Sequence, residues 1–582
     1  MQEQRARKKA ASNTITTALF LDIKGAFDHV SRPQMLSMLA KLQLPRALIS
    51  WVDSFLTGRK LQLAFEGQRS SMTPIATGIP QGSPISPILF LIYIRDIVAA
   101  RDPAGPQLLQ LSYIDDFCIA TSSTSAQRNC ERLERVAAGL IAQATESRAQ
   151  FDPSKTELIH FTTRRAPITE GITIAGLLVD PKPVVRWLGV HLDAKLSFKQ
   201  HIAKRINLAE AALQRIIRLS STQQRLSFQA LRQLYIACIT AIADYGAQLW
   251  WGKRGSLTLL KPYTQLQNRA VVRVLGAFQG SPTRALEVEG AIPPPEARLE
   301  NACNSYSLRL LAFQGNHPIL QALHRPVRDE LAASSESDQA LLSYLKPTTQ
   351  LASLGIRLAT IVGNKWKIDA KKTSWEQPWA ADPAATITIS KSSKEQATRE
   401  HKALLQQLLP SSSLTTALFY TDGSKGVMGG LVQTSASVCR LGPLQGPMTA
   451  RYWNLGPYLE VADCESIAII RALELALVAS AANSLLQDIY IFVDSQAAIS
   501  RLQGGCNPLA CRARALLAKL SALHLKTYIS WCPGHKGIIG NEIADLLAKR
   551  GLQVPYIGQP LITPSYLGAI KRKAYIASWQ AI

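Results

Sequence analysis

No C-x-x-C pair occurs anywhere in the 582 residues, and the nine cysteines (118, 130, 238, 303, 439, 464, 506, 511 and 532) are scattered. That pattern indicates neither a zinc knuckle nor a disulfide framework, and it fits a reducing compartment. No uninterrupted apolar run is long enough to span a bilayer. The nearest, AIIRALELALVASAANSLL, carries Arg471 and Glu474 and predicts an amphipathic helix. The basic start MQEQRARKKAASN lacks the apolar core and small-residue cleavage site of a secretory signal, so secretion is not expected. Acidic residues are in short supply. The 41 Asp and Glu against 65 Lys and Arg leave a formal net charge of +24, which calls for a polyanionic partner. With no membrane span, nucleic acid leads over an acidic membrane surface. The hydrophobic share, 47% over 582 residues, is ample for several cores.

From Thr16 to Asp193, strand-like runs (TTALFLDI, LSYIDDFCIA, VVRWLGVHLD) alternate with helical stretches in an α/β or α+β pattern. Leu196 to about Gly276 reads as helical and basic, with Lys199, Lys204, Arg205, Arg215, Arg218, Arg225 and Arg232. Such a set forms either a solvated face or a track for a phosphate backbone. Residues 277–410 hold the patches AIPPPEA, ASSESDQ and SKSSKEQ and a polar stretch near 365–400, which predict a connecting region with a linker. A second strand-rich domain begins near Thr415, and there is no internal repeat.

The run LSYIDDFCIA sets Asp115 and Asp116 side by side in a hairpin of otherwise apolar strands. A solvent-facing Asp-Asp turn is the plain explanation. If the pair is partly buried, two like charges about 4 Å apart repel by ~4 kcal/mol at an effective dielectric of 20 unless a cation lies between them. Upstream, TTALFLDIKGAFDHV ends an apolar strand at Asp22, a position equally suited to a helix cap. The loop TGIPQGSPISPILF carries Gly78, Gln81, Gly82 and Ser83 before an apolar helix.

In this order the three segments resemble the palm of reverse transcriptases. FDPSKTELIHFT is similar to the family's lysine-bearing segment, and RWLGVHLDAKLSFKQHI to its primer grip and the start of the thumb. WVDSFLTGRK, ADYGAQLWW and EVEGAIPPPEARL resemble stretches of non-LTR (LINE-type) retrotransposon proteins, so that the match covers about residues 16–325. The resemblance implies that Asp22 and Asp115 ligate metal while Asp116 shapes the site. It also implies that Phe27 lies beneath the incoming sugar and excludes a ribose 2′ hydroxyl, making the product DNA. Gln81 and Gly82 would position nucleotide and template, and Lys155 would approach the phosphates, an exposed turn lysine being its alternative. Phosphoryl transfer of this kind uses two divalent cations about 3.5–4 Å apart. Oxygen ligands suit Mg²⁺, two per site, with Mn²⁺ as the alternative. Only fifteen residues precede Thr16. The resemblance therefore predicts little or no fingers region and an N-terminally truncated part of a larger element protein, or a decayed copy.

Four further carboxylates stand in a second ordered set. ALFYTDGSKG ends a strand at Asp422, and EVADCESIAIIRALELAL puts Glu465 on a helical face with Val461, Ala468, Ala472 and Leu475. A carboxylate on an apolar stripe is costly unless it is paired. IYIFVDSQAAISRL ends a strand at Asp494, and KTYISWCPGHKGIIGNEIADLLAKRG gives a strand, a Gly-rich loop with His535, and a helix carrying Asp545 that Asn541 is expected to cap. Helix caps and exposed loop residues are the plain alternatives. Over about residues 415–552 these segments together resemble RNase H. The resemblance implies that Asp422, Glu465, Asp494 and Asp545 hold two Mg²⁺ ions and that His535 helps proton transfer or product release. The substrate would be the RNA of an RNA/DNA hybrid, recognised through minor-groove 2′ hydroxyls.

The expected fold is multidomain α/β and α+β. It comprises a basic N-terminal remnant (1–15), a reverse transcriptase palm (16–194), a helical basic thumb (195–276), a connection region with a polar linker (277–410), an RNase H-like α/β domain (411–555) and a C-terminal tail (556–582). The function so implied is RNA-directed DNA polymerase with RNase H activity. The alternatives are an RNase H with a vestigial palm, or a catalytically silent nucleic-acid-binding remnant. Expected partners are an RNA template, a DNA primer, RNA/DNA hybrid and dNTPs, with no membrane. The expected location is an intracellular ribonucleoprotein, nuclear and/or cytoplasmic.

Overall fold

A computed structural model describes residues 14–99, 108–220, 226–252, 256–311, 385–389, 393–411, 414–442, 447–503, 508–556 and 561–580, with a few single residues between 319 and 357. Most of the expected N-terminal remnant and most of the linker, including the polar stretch up to residue 384, lie outside the described residues. The chain divides into two compact units: Met1–Trp250 with Gly255–Ile292, and Trp251–Arg254 with Pro293–Ile582. No described helix is long and apolar enough to cross a membrane.

The first unit is built around strand β1 (Ile15–Asp22), seven of whose eight residues are buried. That unbroken buried run, polar only at Thr16 and Thr17, marks a strand covered on both faces, and β1 is central. The antiparallel sheet runs in the order β2 (Leu108–Tyr113), β3 (Asp116–Ser123), β1, β4 (Glu157–Phe161). Helices α1 (Arg32–Lys41), α2 (Arg46–Leu56), α3 (Ser86–Tyr93) and α4 (Ala126–Glu146) contribute to a core that includes Leu19, Met35, Val52, Phe90, Phe117, Leu133 and Leu158. Ser125 caps α4 by accepting from the Arg128 amide, and Cys130, Leu133, Ala137, Leu140 and Ala144 form its buried stripe.

A hairpin of β5 (Val184–Trp187) and β6 (Val190–Asp193) leads into helix α5 (Lys199–Ser220). After shorter helical turns come α6 (Lys261–Leu275) and α7 (Thr283–Glu289). The helical segment, expected to end at 276, runs on through Ile292 in this unit. The buried Glu287 explains why: it takes a hydrogen bond from Gln267 of α6 (2.6 Å) and an ion pair from Arg284 (2.7 Å). A buried carboxylate without such partners would be strongly destabilising.

The second unit contains α8 (Pro295–Leu311) and a six-stranded sheet. Its strands are β7 (Ala385–Thr388), β8 (Thr416–Met428), β9 (Leu431–Leu441), β10 (Pro447–Gly456), β11 (Asp488–Val493) and β12 (Lys526–Trp531), in the order β7-β12-β11-β8-β9-β10. The strands β7, β12, β11 and β8 are parallel, and β8, β9 and β10 form an antiparallel meander. Helices α9 (Lys394–Leu408), α10 (Val461–Ala482), α11 (Gln496–Gln503), α12 (Pro508–Ala522), α13 (Ile539–Gly551) and α14 (Pro564–Gln580) complete it.

The fold departs from three expectations. Helix α10, which contains the most apolar stretch of the chain, is not an amphipathic surface helix. It is buried on most sides between β8, β9 and α12, which explains why its apolar residues are nearly continuous. The compact unit extends before the expected domain start at 411, because β7 pairs with β12 and the buried His401 of α9 bonds the Tyr420 hydroxyl at 2.8 Å. Residues 564–580 are a helix joined to the unit and not a free tail. The Thr563 hydroxyl donates to buried Asp463 (2.5 Å), and Lys571 of α14 bonds Ser305 of α8 (3.0 Å).

Candidate functional site

In the first unit, antiparallel pairing brings three strand ends together. Asp22 stands opposite Asp116, and Tyr113 faces Asp116 from the other side. The hairpin turn is Ile114-Asp115, not the Asp-Asp pair itself, because Asp116 already belongs to β3. Ile114 takes φ 57°, a left-handed conformation that is strained for a β-branched residue. All three aspartates are half-buried, not solvent-facing. Burial, then the neighbouring Asp115 and Asp22 charges, push the Asp116 carboxyl above its ordinary range.

The counter-charge comes from Lys155. The Asp152 amide donates to the Asp22 carbonyl (2.8 Å), which fastens the turn Pro153–Lys155 beside the end of β1. The Lys155 ammonium then donates to Asp22 Oδ2 at 2.7 Å, and that bond raises its pKa. Among the described residues, the three aspartates do not present a set of three ligand oxygens within 4.8 Å of one another. Phe27 is half-buried and stacks on Phe90, with ring centroids 5.2 Å apart. The Gly-Pro loop is clipped to it, since the Ile79 amide donates to the Phe27 carbonyl (2.7 Å). Gly78 is required there: its φ is +80°, and a Cβ would lie 2.8 Å from the Asp28 carbonyl oxygen. Gln81 and Gly82 are exposed or nearly so at the loop's tip. Arg59, which no motif singles out, holds the loop by donating to the carbonyls of Thr77 (2.5 Å) and Gly78 (2.6 Å).

The second site follows from parallel pairing. Thr421 of β8 lies opposite Val493 of β11, so Asp422 and Asp494 emerge side by side from neighbouring strands. The strand does not end at Asp422, because β8 continues through the D-G-S segment to Met428. Gly423 has a specific role: a Cβ there would overlap the Glu465 backbone nitrogen, so only glycine lets α10 approach the strand. The carboxylates of Asp422, Glu465 and Asp494 consequently offer oxygens within 4.8 Å of one another.

This cluster is strained electrostatically. Burial, then Asp494 and Asp545, push the Asp422 carboxyl up to about 7. Burial, then Asp422 and Asp494, raise Glu465 well above its ordinary value, and its Oε2 is buried with no hydrogen-bond partner. Burial also raises Asp494, against the relief given by Asn541 and His535. An orphaned carboxylate oxygen among repelling carboxylates fits a bound cation. Asp545 lies in a neighbouring group with His535 and Glu542, again with ligand atoms within 4.8 Å, and pairs with Lys549 at 2.8 Å. Glu542 is not among the residues expected at the site, although its i, i+3 spacing to Asp545 places the two on one helix face. Asn541 does not cap α13, whose N-cap is Ile538. It is buried in the first turn, and its amide donates to Asp494 Oδ2 (3.5 Å).

Comparison with known proteins accords with this division. A reverse transcriptase (RNA-dependent DNA polymerase) family model matches residues 2–192, and an RNase H family model matches residues 415–553. The RNA-directed DNA polymerase from mobile element jockey of Drosophila melanogaster is 28% identical over 297 residues, which cover 50% of this chain and 32% of that protein. The probable RNA-directed DNA polymerase from transposon BS of the same organism is 27% identical over 237 residues, 40% of this chain and 26% of that protein. The chain spans about a third of the length of the jockey relatives it matches. Among solved structures, RNase H1 from Halobacterium salinarum NRC-1 aligns at 23% identity and a TM-score of 0.20, covering 24% of this chain and 98% of that one. The first unit thus carries a reverse transcriptase domain and the second an RNase H domain. Proteins of both families act on nucleic acid with divalent metal ions.

Proposed function

We propose, for a chain with these two domains, that it copies RNA into DNA at Asp22, Asp115 and Asp116 and cleaves the RNA of RNA/DNA hybrids at Asp422, Glu465 and Asp494. The observation that carries the reading is the buried carboxylate cluster of the second unit, with Glu465 Oε2 left unpartnered. Mg²⁺, two ions per site with Mn²⁺ as the alternative, is the cation such oxygen donors suit, and Asp545 would serve from the edge of the second site. When bound, the ions supply an activated water or 3′ hydroxyl and stabilise the leaving oxygen.

The protein's own groups do the rest. Strands β8 and β11 hold Asp422 and Asp494 rigidly, Gly423 admits Glu465, and Asn541 orients Asp494. His535, exposed in its loop at φ 56°, exchanges a proton with the leaving group or eases product release. In the first unit, Lys155 holds Asp22 Oδ2 until the phosphates of an incoming dNTP draw its ammonium away. Phe27, backed by Phe90, forms the floor beneath the sugar. The exposed Lys199, Lys204 and Arg215 of α5 hold the phosphates of the RNA template and DNA primer. The setting is an intracellular ribonucleoprotein, nuclear and/or cytoplasmic.

The test is a labelled RNA template annealed to a DNA primer, with Mg²⁺ and dNTPs, following both strands in one reaction. Asp115→Asn is expected to lose primer extension and keep RNA cleavage, and Asp494→Asn the reverse. Extension that survives in the first variant and cleavage that survives in the second would overturn the assignment.

A further inference from the structure

A cavity of about 480 Å³ lies at the other end of the first unit's sheet, lined by Arg164, Arg165, Lys182 and Lys195 against a single carboxylate, Asp180. Its place follows from register. His160 and Phe161 of β4 stand opposite Thr17 and Thr16, at the start of β1, whereas Asp22 ends that strand. Six residues of strand separate the two positions by about 20 Å. The cavity reaches back along β4, where Lys182 pairs with Glu157 opposite Phe20, but none of Asp22, Asp115 and Asp116 lines it.

Two of its cations are already tied down. Arg164 donates to the Thr124 carbonyl (3.0 Å), and Lys182 pairs with Glu157 (2.7 Å). Arg165 and Lys195 are exposed and form no ion pair among the described residues. Pro181 and Pro183 supply rigid apolar wall beside these charges. Cations next to small apolar surface suit a phosphate joined to a sugar and base, and the volume falls within the roughly 300–1,000 Å³ of small-ligand sites. Lys195 of its lining stands just before α5, which begins at Lys199. The exposed Lys199, Lys204 and Arg215 continue the positive charge along that helix. Further exposed cations on the adjoining helix favour a polymer over a free nucleotide.

We propose that this cavity is a second nucleic-acid contact, which takes one nucleotide of a single strand with its phosphate against Arg165 and Lys195. It rests on the reading of the chain as a nucleic-acid enzyme but not on either catalytic assignment, because binding here needs no carboxylate.

The experiment measures binding of a labelled single-stranded RNA to the full chain in EDTA, over a salt series. For Arg165→Ala/Lys195→Ala, the slope of log K against log salt is expected to fall by about 1.4, two contacts at ~0.7 each, with a roughly tenfold loss of affinity at low salt. Arg165→Lys/Lys195→Arg should keep both. An unchanged slope and affinity in the alanine variant would overturn the proposal. If a nucleoside monophosphate or inorganic phosphate binds the parent as tightly as the strand does, the site belongs to free phosphate ligands and the strand assignment falls. Loss of either activity in Asp115→Asn or Asp494→Asn leaves this binding untouched, so the two readings fail separately.

Discussion

Raising the pH of the metal-free protein from about 5.5 to about 8 should loosen the structure around Asp422 by about 2 kcal/mol. Asp422 is only 7% exposed, and its carboxyl is pushed up to about 7 from an ordinary 3.8. An acid whose folded pKa lies above its unfolded value holds its proton more tightly in the folded state. Its contribution is therefore neutral below pH 3.8 and becomes a growing penalty as pH rises through the window up to about 7. A shift of that size amounts to about 4 kcal/mol in full, at 1.36 kcal/mol per unit. At about pH 5.5 half of it is already incurred, because the unfolded carboxyl has ionised while the folded one has not. The other half, about 2 kcal/mol, is incurred by about pH 8, and Glu465 shifts in the same direction.

The assay is hydrogen–deuterium exchange of β8 and α10 in EDTA, corrected for the intrinsic pH dependence of exchange. Opening should become roughly 30-fold more favourable across the window. Mg²⁺ at the higher pH should restore protection by neutralising the carboxylates, and Asp422→Asn should flatten most of the profile. Protection that stays level or increases with pH in EDTA would refute the electrostatic reasoning. So would an identical slope in Asp422→Asn.

Gly423→Ala forces a methyl group onto the Glu465 backbone nitrogen, which should cost about 1–3 kcal/mol and lower hybrid cleavage more than tenfold while leaving primer extension intact. Normal cleavage in that variant would mean α10 does not need its close approach. Thr563→Val removes a hydrogen bond from Asp463, a buried carboxylate that also pairs with Arg501 at 2.9 Å. A loss of about 1–3 kcal/mol is expected by thermal denaturation of the full chain, and an unchanged transition would detach α14 from the unit. Lys155→Met should slow primer extension and at the same time lower the Mg²⁺ concentration giving half-maximal rate, because the ammonium no longer competes for Asp22 Oδ2. An unaltered Mg²⁺ dependence would argue against that competition.

Much of both sites is legible in the amino-acid sequence, for a local reason. An aspartate that ends an apolar β run, as Asp22 and Asp494 do, sits where a strand leaves the core, and that much depends only on neighbours along the chain. The same local logic predicts the helix carrying Glu465 and the loop carrying His535. The resemblance of these ordered segments to reverse transcriptases and RNase H then indicates two nucleic-acid-processing domains.

Periodicity does not say what lies across from what. That Asp116 belongs to β3 and only Asp115 to the turn depends on the pairing of β2 with β3. Gly423 looks like a turn residue until β9 and β11 pair along its strand and α10 presses onto it. The apparent tail 564–580 becomes structural only because Thr563 meets Asp463, a hundred residues earlier in the chain. Lys155 and Asp22 meet across 133 residues, and the cavity at Arg165 and Lys195 exists only once β4, the loop after it and the base of the β5–β6 hairpin have come together. Hydrophobic patterning acts over a few residues and determined the elements and the chemistry they carry. Strand register, burial and long-range charge pairing decided which carboxylates repel, which side chains answer them, and where else on the molecule a phosphate could bind.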